Sequence, residues 1–169
     1  FGIGEAAISI SSAPDERRPH EYTIRRAGAI TGALTSLEPG DQHWVRGPFG
    51  RPWDLDLDGR DVLIAAGGIG LAPLRSAVHA IRAERQRYRS VTIVVGARSS
   101  TGLLYAGEYE RWRDAGIDVV TTIDRPEPGW TGRVGFVPDV VAALDVDPAA
   151  TAALVCGPDV MMRLTARSL

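Results

Sequence analysis

The stretch Val62-Leu63-Ile64-Ala65-Ala66-Gly67-Gly68-Ile69-Gly70-Leu71-Ala72-Pro73-Leu74 decides the fold. Asp61 to Ala66 is a continuous apolar run, as expected of a strand buried on both faces of a parallel sheet. Leu71 to Gln86 repeats apolar residues at helical spacing. A strand, a glycine turn and a helix in this order present unpaired backbone N–H groups to an anion at the carboxyl end of a strand, where open α/β sheets bind ligands. Glycines there permit positive φ and a close approach of a pyrophosphate. No Gly-Lys-Ser/Thr follows, which excludes a P-loop. Gly68-x-Gly70 begins the Rossmann pattern, but Pro73 stands where its third glycine would be, and proline is tolerated in a first helical turn. On this motif alone, a tight turn that binds nothing is the competing reading.

Working outward, Val91 to Gly96, Asp118 to Ile123 and Ala152 to Cys156 read as further strands. Helices are expected over Leu103 to Asp114 and Val137 to Leu144, with a last one starting near Pro158 and running off the end. This alternation indicates a doubly wound α/β parallel sheet covered on both sides. Residues 1–54 differ in texture. Ala7 to Ser12, Tyr22 to Arg26 and Gln42 to Arg46 are strand candidates, and Thr31 is expected to cap a short helix through Leu37. Three strands cannot close a barrel, so 1–54 is expected to be part of an antiparallel β-barrel whose other strands precede Phe1. The expected division is 1–54 and 55–169, in a fragment of a longer subunit truncated at its C-terminus.

Composition narrows the class. Of 169 residues, 44% are hydrophobic and 24% charged, with a net charge of -2. That suits a soluble globular protein and gives no reason to expect nucleic acid or an anionic membrane as partner. All 19 basic residues are Arg; a compositional bias explains this as well as anion recognition does. No apolar run approaches the roughly 18 residues of a membrane span. Cys156 stands alone, which excludes an intrachain disulfide or a cysteine-held cluster in these residues, and the chain reads as cytoplasmic. His20, His43 and His79 lack ligand spacing, and no nucleophile elbow supports a hydrolase triad.

Several motifs in one order carry a resemblance. The run Val62 to Leu74 resembles the NAD(P)-binding loop of the ferredoxin–NADP reductase superfamily. Cys156-Gly157-Pro158 resembles its Cys-Gly signature after the last main strand. Gly47-Pro48-Phe49-Gly50 resembles its Gly-Pro-aromatic-Gly turn, and Ala7 to Ser12 a variant of its Arg-x-Tyr-Ser flavin motif. Within the superfamily the chain most resembles the gamma, flavin subunits of cytosolic NAD(P)-linked nickel–iron hydrogenases and sulfhydrogenases. Relatives of that group occur in dihydroorotate dehydrogenase, as its electron-transfer subunit, and in anaerobic sulfite reductase. The cues are Gly4 to Ser12, Tyr22 to Arg26, Gly96-Ala97-Arg98 with Leu103-Leu104-Tyr105, and Gly129-Trp130-Thr131-Gly132.

The resemblance implies FAD along the barrel part and NAD(P) on the α/β part, with a [2Fe–2S] cluster only in a C-terminal segment that is missing here. Ser9 would hydrogen-bond near flavin N5, and Ile8 would replace a tyrosine that packs on the ring. The motif's arginine falls at Ala6, so another group must neutralise the FAD pyrophosphate. Arg25 and Arg26 are candidates, of which only one can serve because successive strand residues face opposite ways; solvated strand-edge charges are the competing reading. Thr23, Ile24, Gly28, Ile30 and Thr31 complete the flavin set, Thr31 matching a phosphate-binding serine. Gly67, Gly68, Gly70 and Pro73 would take the dinucleotide pyrophosphate, and Gly96, Ala97 and Arg98 the adenosine side. Asp124 and Arg125 stand where relatives read the 2′ position. An Asp there accepts from a 2′-hydroxyl and an Arg attracts a 2′-phosphate; the balance tips slightly toward NAD. Cys156, with Gly157 and Pro158, would lie beside the nicotinamide and help align hydride transfer to flavin; a small buried strand residue is the plainer reading.

The implied activity is a flavin-dependent NAD(P)H oxidoreductase (diaphorase) passing electrons to iron–sulfur clusters of hydrogenase-type partners in a hetero-oligomer. The alternatives are a reductase serving sulfite reductase, dihydroorotate dehydrogenase or an oxygenase, and a non-catalytic dinucleotide-binding subunit.

Overall fold

The computed structural model describes residues 4–14 and 19–169. Five parallel strands form one sheet: β1 (Asp61–Gly67), β2 (Ser90–Ala97), β3 (Asp118–Ile123), β4 (Arg133–Val134) and β5 (Thr151–Cys156), in the order β4-β3-β2-β1-β5. The chain moves outward from β1 through β2 and β3 to β4. It then returns to the other side of β1, so a topological switch point lies between β1 and β5.

Alternation along β1 sorts the core into two layers. Val62, Ile64 and Ala66 pack with Leu71, Leu74, Val78 and Ile81 of α2 (Leu71–Ala83) and with Tyr109 and Trp112 of α3 (Tyr109–Asp114). Leu63 and Ala65 face the opposite side, where Val137, Val140 and Val141 of α4 (Val137–Ala142) and Met161 of α5 (Asp159–Arg167) cover them. A strand buried on both faces can only be apolar throughout, hence the unbroken run. At the head of β1, Asp61 accepts hydrogen bonds from Arg89 Nε and Ser90 Oγ, both at 2.7 Å. The Arg89 guanidinium first, and then the Ser90 hydroxyl, hold its carboxyl well below the usual range.

The doubly wound reading holds, with corrections at its edges. The second helix ends at Ala83 and tightens into a 3₁₀ turn at Arg85–Arg87 instead of reaching Gln86 as α-helix. The expected helix from Leu103 starts only as a 3₁₀ turn at Ala106–Glu108 and becomes α3 at Tyr109, and a separate 3₁₀ turn at Ser100–Gly102 precedes it. Tyr105, at φ 56°, breaks the helical path between them. The last helix closes at Arg167 rather than running off the chain.

Residues 4–60 depart further from expectation. The three expected strands reduce to a single antiparallel bridge, Ile10 with Tyr22. Their residues favour extended backbone, but an extended segment becomes a ladder only beside a partner, and Gln42 to Arg46 lies fully exposed among the described residues. The short helix α1 spans Ala29–Leu34, with Gly28 rather than Thr31 at its cap. Thr31 sits one turn in, its hydroxyl accepting from the N–H groups of Gly28 (3.1 Å) and Ala27 (2.9 Å). No described helix is long and apolar enough to cross a membrane.

Candidate functional site

Four strands end together. Ala66 pairs with Cys156, Gly67 with Gly96 and Ala97 with Ile123. Gly157, Gly68, Arg98 and Asp124 therefore follow one another along the carboxyl rim. Neighbouring strands are about 4.8 Å apart, so this rim is roughly 14 Å long. The switch point lies at its Gly157–Gly68 end, where the connections to α2 and α5 leave toward opposite faces, the usual ligand position in such sheets.

The loop glycines divide the work. Gly68 has φ +54° and open space where a side chain would go, so it alone supplies both the left-handed turn and an unobstructed approach. Gly70 is needed for closeness: a Cβ there would stand 2.5 Å from the Cys156 carbonyl carbon and 2.7 Å from Gly157 N. Gly67 and Gly157 both make way for the Met161 sulfur. The glycine loop and the Cys156-Gly157-Pro158 segment are thus one packed unit. Pro73, in the first turn of α2, leaves its carbonyl to Trp53 Nε1 at 2.9 Å and to Ser76 Oγ at 3.0 Å. That pins the connecting stretch to the start of the helix.

Along the rim, Cys156 is half-buried; burial pushes its thiol up despite a hydrogen bond from Gly157, keeping it neutral. Gly96 is buried because Val137 occupies its side-chain space, a packing reason that the sequence did not reveal. Arg98 and Arg125 are exposed, with no side-chain partner among the described residues, whereas Asp124 is half-buried and its N–H bonds Ala97 O at 3.0 Å. Sequence reasoning missed Glu127. Its carboxylate accepts from Ser100 N at 3.1 Å, ties the loop after β3 to the loop after β2, and is held below its usual range by that contact. No group of His, Cys, Asp or Glu able to hold a metal occurs among the described residues.

The flavin candidates precede this rim in sequence, and one of them, Thr23, reaches the connection after β2 at Tyr105. Ile8 is half-buried and Ser9 exposed. Thr23 shares hydrogen bonds with Ser11 Oγ (2.9 Å) and with the Tyr105 phenol. Ile24 and Ile30 are half-buried, and Ile30 packs against Gly4. An open hollow of about 750 Å³ is lined by Arg26, Ala27, Gly28, Ala29, Gly32, Ala33 and Ser36. A side chain at Gly32 would meet Arg26 Nε at 3.5 Å, so Arg26 lies along α1. Of the two arginines considered, Arg26 lines the hollow, while Arg25 is exposed and does not. Thr31 is half-buried with its hydroxyl turned onto the chain's own backbone.

Residues 63–167 match the oxidoreductase NAD-binding domain family. Sulfhydrogenase 1 subunit gamma of Pyrococcus furiosus is 34% identical over 167 residues, covering 96% of this chain and 57% of the relative. The probable dihydroorotate dehydrogenase B (NAD(+)) electron transfer subunit of Methanopyrus kandleri is 35% identical over 161 residues, covering 95% and 56%. The chain thus spans just over half the length of these curated relatives. Among solved structures, a ferredoxin NADP+ reductase from Neisseria gonorrhoeae with bound FAD and NADP aligns with a TM-score of 0.78 over 96% of this chain and 70% of that one. At 19% identity that likeness is one of fold. The strand order, the glycine loop at the switch point and the matched span agree: the chain belongs to the oxidoreductase NAD-binding domain family.

Proposed function

We propose that this chain is the dinucleotide-binding part, with an adjoining flavin-side segment, of a cytoplasmic FAD-dependent NAD(P)H oxidoreductase subunit. The reading rests on one observation: Gly68 is left-handed and open while Gly70 presses the loop onto the Cys156 carbonyl at the switch point. That geometry suits a pyrophosphate lying over the loop with the attached ring carried toward Cys156. The open arc at Gly68 admits the phosphate close to the backbone, and the start of α2 turns N–H groups toward it. The half-buried Cys156 thiol, neutral and soft, offers packing to a ring and no competing nucleophile. Gly96, Ala97, Arg98, Asp124 and Arg125 would hold the adenosine side, with Asp124 favouring a free 2′-hydroxyl.

On the flavin side, the hollow at α1 fits a diphosphate facing Arg26 and Gly28. Ile8, Ser9, Thr23 and Ile24 would border the ring, with Ser9 free to donate a hydrogen bond. Bound there, FAD would supply a group able to accept one hydride, with its two electrons, from reduced nicotinamide and to pass those electrons on singly. The protein's part is to orient the two groups and exclude water. We assign residues 1–54 to the flavin side and 55–169 to the dinucleotide side.

The physiological partner is inferred as an iron–sulfur subunit of a hetero-oligomer, hydrogenase-type by likeness to the sulfhydrogenase relative. The similar identity to a dihydroorotate dehydrogenase subunit supports a second acceptor. The complete gene product containing these residues is expected to purify with FAD and to reduce a one-electron dye with NADH or NADPH. Absence of both flavin and dye reduction overturns the reading. Co-purifying subunits decide the acceptor.

A further inference from the structure

A part-buried polar cluster outside the rim is centred on Arg75, on α2 two residues beyond Pro73. Its side chain is 13% exposed. Nη1 donates to Ser11 O at 2.9 Å and to Glu21 Oε2 at 2.6 Å; Nε and Nη2 donate to Glu108 Oε1 at 3.0 and 2.7 Å. The guanidinium carbon lies 4.7 Å from the centre of the Tyr105 ring. Tyr105 has φ 56°, a conformation that a non-glycine side chain keeps only where its surroundings over-determine it. Its phenol bonds Thr23, which bonds Ser11 Oγ, and Ser11 is fully buried. One turn on, His79 Nε2 faces Glu108 at 3.7 Å.

Two properties separate this cluster from ordinary packing. First, it is directional: a planar guanidinium with five donors fixes angle as well as distance. Second, its grips join the flavin-side segment to the helix that follows the glycine loop. On one side it holds Ser11, two residues from Ser9, and through Tyr105 it holds Thr23. On the other it is built into the helix that begins at the glycine loop. We propose that Arg75 is a positioning residue, setting the register between the flavin-side segment and the dinucleotide rim so that hydride donor and acceptor meet in line. The proposal rests on the oxidoreductase reading above. Misplacement by about 1 Å can lower such a transfer roughly a hundredfold, so a hub that fixes register acts on the chemical step more than on binding.

The test uses the complete gene product with FAD, mixed rapidly with NADH. Arg75→Met keeps the bulk and removes the fork; flavin reduction is expected to slow at least tenfold and the long-wavelength charge-transfer absorbance to fade. NADH affinity should change less than twofold. Arg75→Lys should restore part of the rate. Tyr105→Phe removes only the phenol bond to Thr23, should fold like the parent, and should slow reduction about threefold with unchanged NADH affinity. Rates equal to the parent in Tyr105→Phe, together with an Arg75→Met loss no larger than its loss of bound FAD, overturn the proposal. A parent protein that NADH does not reduce overturns the oxidoreductase reading and this proposal with it; an active parent with unaffected variants overturns this proposal alone.

Discussion

Among the described residues, every buried apolar side chain lies at Val62 or beyond, whereas the buried residues before it are Ser11, Ser12 and Gly32. Residues 61–169 carry their own two-layered core. Residues 4–60 are held to it by the Arg75 cluster, by Trp53 on the Pro73 carbonyl, and by partial packing of Trp53, Leu55 and Leu57. Apolar burial is non-directional and supplies stability; hydrogen bonds between charged and polar groups contribute less net stability but fix angles. Stability and alignment are therefore assigned to different parts of the molecule.

Two tryptophans test that contrast most strongly. Trp112 is fully buried between α3 and the sheet, and Trp44 is fully exposed. Trp112→Ala should lower stability by roughly 3–5 kcal/mol, while Trp44→Ala should stay within about 0.5 kcal/mol, both read by denaturant unfolding. A Trp44→Ala effect as large as that of Trp112→Ala would break the comparison.

Within the α/β half, the loop glycines sharpen it further. Gly70→Ala places a methyl against the Cys156–Gly157 backbone, which cannot yield cheaply. NADH affinity should fall by more than tenfold, at least ~1.4 kcal/mol. Gly68→Ala meets no neighbour and bears only the left-handed strain of about 1–2 kcal/mol, so its effect on NADH titration should be smaller than that of Gly70→Ala. The reverse order would mean that the loop acts through conformational freedom rather than close approach.

The smallest expected effects are in pH dependence. Asp61 has a lowered pKa in the folded state, so its contribution is present above the ordinary carboxylate pKa of about 3.9 and is lost as pH falls below it. Asp61→Asn should flatten the acid limb of the stability curve. His79 is lowered as well, by burial first and then by the Arg75 charge. The unfolded chain then binds its proton more readily, so stability should decline as pH falls through about 6.5. His79→Gln should remove that decline; a curve unchanged by the substitution would mean that the Arg75 cluster does not sense this proton.

The α/β half was legible because its strands are apolar on both faces and its helices repeat at 3.6, signals that survive without tertiary knowledge. Strand β4, two exposed residues long, leaves no such trace. Ala7 to Ser12 and Gln42 to Arg46 misled because composition reports a taste for extended backbone, while pairing depends on a neighbour. The glycine loop was legible as a phosphate-type turn, yet the separate duties of Gly67, Gly68 and Gly70 depend on what stands opposite them. Arg75 was one of 19 arginines. Its partners Ser11 and Glu108 lie 64 and 33 residues away, and Leu103-Leu104-Tyr105 stood out only as a motif without a role.

Met161 has a consequence in the life of the protein under oxidative stress. Its sulfur fills the space that side chains at Gly67 and Gly157 would take, and the residue is 9% exposed. Conversion to the sulfoxide adds a polar oxygen to this close contact. The new oxygen has to be seated beside the glycine loop and the end of β5, where Met161 packs. A peroxide-treated chain is expected to bind NADH more weakly with its sheet still folded, and treatment with a methionine sulfoxide reductase is expected to restore the binding.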